Sequence, residues 1–182
     1  MQKGLFKHQG LQLIVSLLLL CGLGPLAIPI SQEISFTLQT FFVLLPAALF
    51  GWKPGLLNAV IYLFLGSLGM PVFAGYTSGF SGPSIGYLLA FIPAVMATGY
   101  WVQKHTKPSY FLLFMLFLLA HVLIVTMGLS IQLYITNGHW QQQQTLLTKL
   151  FVGALVKSAI GALVVYAIVN RFPRQVDARG IN

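Results

Sequence analysis

The sequence predicts an all-α membrane protein built as a bundle of six transmembrane helices, which form a single integral membrane domain over residues 1–182. Composition is the first reason, because 57% of the 182 residues are hydrophobic and only 7% are charged. A soluble domain does not need so many apolar and so few charged residues to form one core. The second reason is a series of six apolar segments, and the third is a one-sided distribution of the basic residues between them.

The six segments are each close to the length of a membrane span. A helix needs about 20 apolar residues to cross a hydrocarbon core of ~30 Å. The segments are residues 11–28, 36–50, 55–68, 84–102, 110–136 and 146–170. The second and third are short, which predicts tilted helices or partial burial behind other helices. The glutamine run at residues 141–144 is interpreted as a solvated connection between the last two helices.

The basic residues predict the orientation of these helices. Eight of the ten lie on one side, and they are Lys3, Lys7, Lys53, Lys104, Lys107, Arg171, Arg174 and Arg179. The gaps on the other side, residues 29–35, 69–83 and 137–145, contain no lysine or arginine. The positive-inside rule therefore predicts cytoplasmic termini and a multi-pass protein of the cell (inner) membrane. Because the charges follow the topology, they indicate the lipid bilayer as a partner and no nucleic acid.

The sequence offers few residues for catalysis. Only Glu33 and Asp177 have carboxylate side chains, so no acid–base pair of carboxylates lies inside the membrane. The single cysteine excludes an internal disulfide, and the four histidines form no closely spaced pair that could hold a metal. No phosphate-binding loop for a nucleotide is present. We therefore expect no enzyme activity, no cofactor and no metal site.

One motif favours an enzyme. The sequence GFSG at residues 79–82 is similar to the nucleophile motif of rhomboid-type intramembrane serine proteases. That family has its histidine base on the sixth helix, and the sixth segment here contains no histidine. His121 on the fifth segment would have to replace it. The protease is therefore kept as a remote alternative.

Lys157 lies in the middle of the sixth apolar segment. A lysine at the centre of a membrane helix costs ~2.5–3.5 kcal/mol on insertion scales, so we expect its side chain to face protein or a cavity. Gly153 and Gly161, four residues before and after it, leave a groove on the same helix face. Ligand contact and close helix packing are both compatible with this pattern. His121 and Gln39 are likewise open to a binding or a structural role.

Three stretches taken in order resemble the BioY family of biotin transporters. They are residues 34–75, which include TLQT and GMPVFAG, then GPSIGYLLAF at 82–91 and GALVK at 153–157. The resemblance implies a substrate-binding S component of an energy-coupling-factor transporter, a six-helix bundle that takes up biotin. It implies a pocket near the outer surface, walled by the last three helices and capped by the loops after helices one and three. It also implies an energy-coupling transmembrane subunit and ATPase subunits as possible partners.

The same resemblance implies a set of site residues. Lys157 is the expected main polar contact, incompletely paired until biotin supplies an acceptor or a negative charge. The further candidates, as apolar walls, lid or additional contacts, are Tyr87, Phe73, Tyr76, Ser84 and Gln39. The chain departs from the family pattern at Ala154, where an aspartate is usual, and at Ile85, where a glycine is usual. The lost aspartate leaves open an alternative, an S component or carrier for another small carboxylate or vitamin.

Overall fold

The computed structural model describes residues 9–31, 34–80, 82, 84–137 and 140–172. This part of the chain forms six helices and one antiparallel hairpin. In chain order they are α1 (Gln9–Leu23), β1 (Ala27–Ser31), β2 (Ile34–Thr37), α2 (Gln39–Phe50), α3 (Trp52–Ser67), α4 (Ile85–Val102), α5 (Tyr110–Thr136) and α6 (Trp140–Arg171). The hairpin pairs Ala27 with Thr37 and Ile28 with Phe36. The six predicted helices are therefore present, and the hairpin was not predicted.

Two predicted boundaries are wrong. The first helix was expected to reach residue 28, but α1 ends at Leu23 and the Gly24 N–H closes its last turn by donating to the Leu20 carbonyl at 3.0 Å. Pro25 follows, and a proline in that position ends a helix because it clashes with the preceding turn. The glutamine run was expected in a loop, but α6 already begins at Trp140. Glutamine is a good helix former, so the run extends the last helix.

The bundle is assembled around α4, which packs against α2, α3 and α5, while α5 packs against α6. Helix α1 lies at the side of the bundle, in contact with α2 and α3. The largest fully buried side chains of the core include Leu44, Tyr62, Phe91 and Phe117. These residues come from four different helices, so one core joins α2 to α5.

Much of the outer surface of the bundle is apolar. Leu18 is 66% exposed, Phe111 69% and Leu163 59%, and each lies on a different helix. Among the described residues, three helices are long and apolar enough to cross a membrane: α4, α5 and residues 150–171 of α6. Apolar helices with an exposed apolar surface indicate a membrane protein.

One end of the bundle, here called the capped end, is covered by the α1–α2 hairpin and the α3–α4 loop. The Gly75 N–H donates to the Pro25 carbonyl at 2.9 Å, and the Tyr76 hydroxyl donates to the Gly22 carbonyl at 3.4 Å. The first bond joins the two coverings to each other, and the second joins the α3–α4 loop to the end of α1. Lys104 lies at the other end, with Nζ 4.0 Å from the centre of the Tyr100 ring.

Candidate binding site

A cavity of about 390 Å³ lies beneath the capped end. Its lining comes from the end of β2, the start of α2, the α3–α4 loop, α4, α5 and residues 150–157 of α6. The volume is within the ~300–1,000 Å³ typical of small-molecule sites. The α3–α4 loop contributes Phe73, Ala74 and Thr77 to the lining, and a few polar side chains from three helices meet in the wall.

Those polar side chains are Thr40, His121 and Lys157, which come from α2, α5 and α6 and all line the cavity. Lys157 Nζ donates to Thr40 Oγ1 at 3.1 Å, and His121 Nε2 lies 3.2 Å from the same oxygen. The ammonium that was expected to be incompletely paired before biotin binds thus already has one partner in the protein, the Thr40 hydroxyl. The expectation that the lysine faces a cavity is confirmed.

His121 is 2% exposed, and both of its ring nitrogens have partners. Nδ1 lies 2.8 Å from the Phe117 carbonyl oxygen and 3.1 Å from Ser158 Oγ. A carbonyl oxygen only accepts, so Nδ1 must hold a hydrogen, and in a neutral ring Nε2 is then an acceptor. The imidazole is consequently fixed between α2, its own helix and α6.

Tyr87 forms a wall of the cavity on α4. Its ring packs directly on Gly128 of α5, where a Cβ atom would lie 2.5 Å from Tyr87 Cγ. The Tyr87 hydroxyl donates to Gln132 Oε1 at 3.0 Å. The missing side chain at Gly128 and this hydrogen bond together fix the orientation of the ring.

Phe73 brings the α3–α4 loop to the cavity. Its ring packs against Gly66, where a Cβ atom would lie 2.6 Å from Phe73 Cε2, and meets the Tyr62 ring edge-on with centroids 5.5 Å apart. The Tyr62 hydroxyl donates to the Val72 carbonyl at 2.6 Å and accepts from Gln39 Nε2 at 2.7 Å. Gln39 thus supports the loop from the start of α2.

The cavity brings together five of the six predicted site residues. They are Lys157, Tyr87, Phe73, Ser84 and Gln39. Tyr76, the sixth, is not among the lining residues, since its side chain is 53% exposed and its hydroxyl donates to the Gly22 carbonyl on α1. Its backbone is in the left-handed region, with φ 59°.

Other residues of the site were not predicted. Thr40 stood in the TLQT stretch, but nothing in the sequence distinguished it from Thr37, which also lines the cavity. Phe91 lines it as well and was unremarkable among the apolar residues of its segment. Ala154, the position of the usual aspartate, lies in the wall. The groove expected at Gly161 is filled by Phe117, whose Cε1 would lie 2.7 Å from a Cβ there.

The proposed protease nucleophile motif is only partly visible. Ser81, its serine, lies outside the described residues. His121, the replacement base that the protease would require, bonds to Phe117 and Thr40. The histidine is therefore engaged within the polar wall of the cavity.

Comparison with known proteins gives consistent similarities. The sequence pattern of the BioY family matches residues 3–174. The biotin transporter BioY of Thermotoga maritima is 38% identical over 90 residues, 48% of this chain and 53% of that protein. The biotin transporter BioY2 of Lactococcus lactis is 36% identical over 122 residues, 65% of each chain. The putative biotin transporter BioYB of Bacillus subtilis is 37% identical over 79 residues, 42% of this chain and 40% of that protein. The aligned region thus spans less than two thirds of each of these relatives.

A solved structure has the same fold. The crystal structure of the S-component for biotin from an ECF-type ABC transporter superposes with a TM-score of 0.75. The match covers 92% of this chain and 94% of that protein at 21% sequence identity. The six-helix arrangement is therefore an S-component fold.

Proposed function

Because the chain belongs to the BioY family, we propose that it binds biotin in the cavity beneath the capped end and takes part in uptake of the vitamin. BioY proteins are transporters, so the protease alternative is set aside. The observation that supports biotin most directly is Lys157, whose ammonium reaches a cavity of about 390 Å³ with aromatic walls. Biotin combines a carboxylate, a polar ureido ring and an apolar body.

The cavity offers a partner for each part of that ligand. The Lys157 ammonium can donate a charge-assisted hydrogen bond to the carboxylate or the ureido oxygen. Tyr87, Phe73 and Phe91 provide apolar surface against which the ring system and the aliphatic chain can pack.

The proposed setting is the cell (inner) membrane, crossed six times with both termini in the cytoplasm. The apolar surface of the bundle and the one-sided lysines and arginines support it. In this orientation the capped end faces outwards and the cavity takes biotin from outside. An energy-coupling transmembrane subunit and ATPase subunits are the proposed partners, because the related fold is that of an ECF-type S-component and this sequence has no phosphate-binding loop.

The testing experiment is thermal unfolding of the purified chain with and without biotin. At a hundredfold excess over its dissociation constant, a ligand stabilises the folded state by about 2.7 kcal/mol. Lys157→Met keeps much of the apolar stem and removes the charge, so it should weaken biotin binding roughly ten- to a hundredfold, the worth of a charge-assisted hydrogen bond.

The matched control is Lys53→Met, which makes the same change at an exposed position at the other end of the bundle. It should bind biotin like the wild type. No stabilisation of the wild type by biotin would refute the proposed substrate. Equal affinity of folded Lys157→Met and wild type would remove the lysine from the site.

A second candidate is uptake of another small carboxylate or vitamin, and Ala154 favours it. This apolar residue lies in the cavity wall where the family usually has an aspartate. Ala154→Asp should maintain or strengthen biotin binding if the cavity is a biotin site. If that variant and the wild type both ignore biotin while another vitamin stabilises the wild type, the second candidate is correct.

A further inference from the structure

Thr40 Oγ1 is the meeting point of two side chains that are distant in sequence. Lys157 Nζ lies 3.1 Å away and His121 Nε2 lies 3.2 Å away. The hydroxyl has one hydrogen to give and two lone pairs to accept with. Its two neighbours therefore determine how it is used.

The donors and acceptors around it can be assigned one at a time. The Phe117 carbonyl oxygen lies 2.8 Å from His121 Nδ1 and accepts its N–H hydrogen bond. In the neutral ring Nε2 then has no hydrogen and can only accept. An ammonium only donates, so Thr40 Oγ1 accepts from Lys157. The Thr40 hydrogen is then available for Nε2. A charged imidazole would instead direct a second cation at the oxygen that already binds the ammonium, which is electrostatically unfavourable.

We propose that His121 is a positioning residue for ligand binding, acting through Thr40 on Lys157. By accepting the Thr40 hydrogen, Nε2 keeps the lone pairs of that hydroxyl directed at Nζ and so holds the ammonium at the cavity wall. Without Nε2, the Thr40 hydrogen loses this acceptor, and the hydroxyl can rotate away from the orientation that favours the ammonium. This inference rests on the proposed function, because it assigns the polar wall of the same cavity.

The chain offers paired substitutions that separate hydrogen bonding from packing. Thr40→Val keeps the shape and removes the hydroxyl, while Thr40→Ser keeps the hydroxyl. His121→Gln can place an acceptor oxygen near the position of Nε2, while His121→Asn is too short to reach Thr40. Thr98→Val is the matched control, since Thr98 is buried on α4 and its Oγ1 has no hydrogen-bond partner among the described residues.

Biotin affinity of the purified full-length variants is the first measurement. Thr40→Val and His121→Asn should each weaken binding about tenfold, and Thr40→Ser and His121→Gln should restore it to within a few-fold. Thr98→Val should bind like the wild type. The double variant Thr40→Val/Lys157→Met should bind biotin as weakly as Lys157→Met alone, because His121 and Thr40 act only through the ammonium. The proposal would be overturned if the double variant lost the product of the two single losses in affinity. It would also be overturned if Thr40→Val bound biotin with wild-type affinity.

A second measurement does not depend on any ligand. In nitrogen NMR spectra of the protein with labelled histidine, His121 should appear as the neutral ring with hydrogen on Nδ1. Thr40→Val and Lys157→Met should both shift the Nε2 signal, and Thr98→Val should not. The proposed chain of hydrogen bonds from His121 through Thr40 to Lys157 would be refuted by a hydrogen on Nε2. It would also be refuted if the Nε2 signal were the same in both variants as in the wild type. If the wild type did not bind biotin, only the proposed function would be refuted. The spectra would still test whether His121 accepts the Thr40 hydrogen.

Discussion

Gly128→Ala tests how the wall of the cavity is built. A Cβ atom at this position would lie 2.5 Å from Tyr87 Cγ, whereas carbon atoms in contact prefer ~3.5–4.0 Å. The Tyr87 ring must therefore move by about 1 Å or more. Its hydroxyl is 3.0 Å from Gln132 Oε1, so a displacement of that size breaks the hydrogen bond or distorts it severely.

The expected destabilisation combines three effects. Overpacking of a close contact costs ~1–3 kcal/mol, and the lost hydrogen bond costs a further ~0.5–1.5 kcal/mol. Replacing glycine by alanine within a helix stabilises the folded state by about 1 kcal/mol, which offsets part of this loss. The free energy of unfolding should thus fall by about 2 kcal/mol, which corresponds to a decrease of roughly 4–8 °C in Tm for a chain of this size.

Thermal unfolding of the purified protein measures this change, and Gly22→Ala provides the comparison. Gly22 lies on α1, and a Cβ atom there would meet nothing within 4 Å. Its Tm should be unchanged or slightly raised. Biotin binding should weaken in Gly128→Ala, because the displaced Tyr87 ring enters or leaves the cavity. If Gly128→Ala unfolds at the same temperature as Gly22→Ala, the description of this wall is refuted.

Two further outcomes are expected. Tyr62→Phe removes the hydroxyl that joins Gln39 at 2.7 Å to the Val72 carbonyl at 2.6 Å and should lower the free energy of unfolding by about 1–3 kcal/mol; Tyr134→Phe, at a side chain 85% exposed, should change it by less than about 0.5 kcal/mol. The orientation can be tested in intact cells that express the protein with Cys21 replaced. A membrane-impermeant thiol reagent should label the variant Ser78→Cys and should not label the variant Lys104→Cys. Labelling of the cysteine at position 104 would show that the orientation is the reverse of the one proposed.

The helices were predictable because their physical cause is local. A long apolar segment between polar residues is visible in the sequence, and the fifth prediction, residues 110–136, coincides with α5 (Tyr110–Thr136). The hairpin between α1 and α2 escaped prediction because residues 24–28 were interpreted as a continuation of the first apolar segment and residues 29–35 as a gap between helices. Gly24 and Pro25 follow directly after the observed end of α1 at Leu23, and both residues are unfavourable in a helix interior.

The site was predictable only in part, because its contacts are between distant residues. That Lys157 faces a cavity follows from the cost of burying a charge in lipid. Its hydroxyl partner does not, since Thr40 is 117 residues away in sequence, and His121 is 81 residues from the same threonine. The position of Tyr76 was not predictable for a similar reason, because hydrophobicity does not tell which aromatic residue of a loop points inwards.

The bonds that join the two coverings of the capped end have a consequence for entry of the ligand. Since the Gly75 N–H is bonded to the Pro25 carbonyl and the Tyr76 hydroxyl to the Gly22 carbonyl, the α3–α4 loop is not an independent flap. Any movement that lifts Phe73 away from the cavity must either break these bonds or carry the end of α1 along. Opening of the cavity is therefore coupled mechanically to the tilt of a helix at the edge of the bundle. A force applied to α1 from within the membrane would therefore be transmitted to the α3–α4 loop through these bonds.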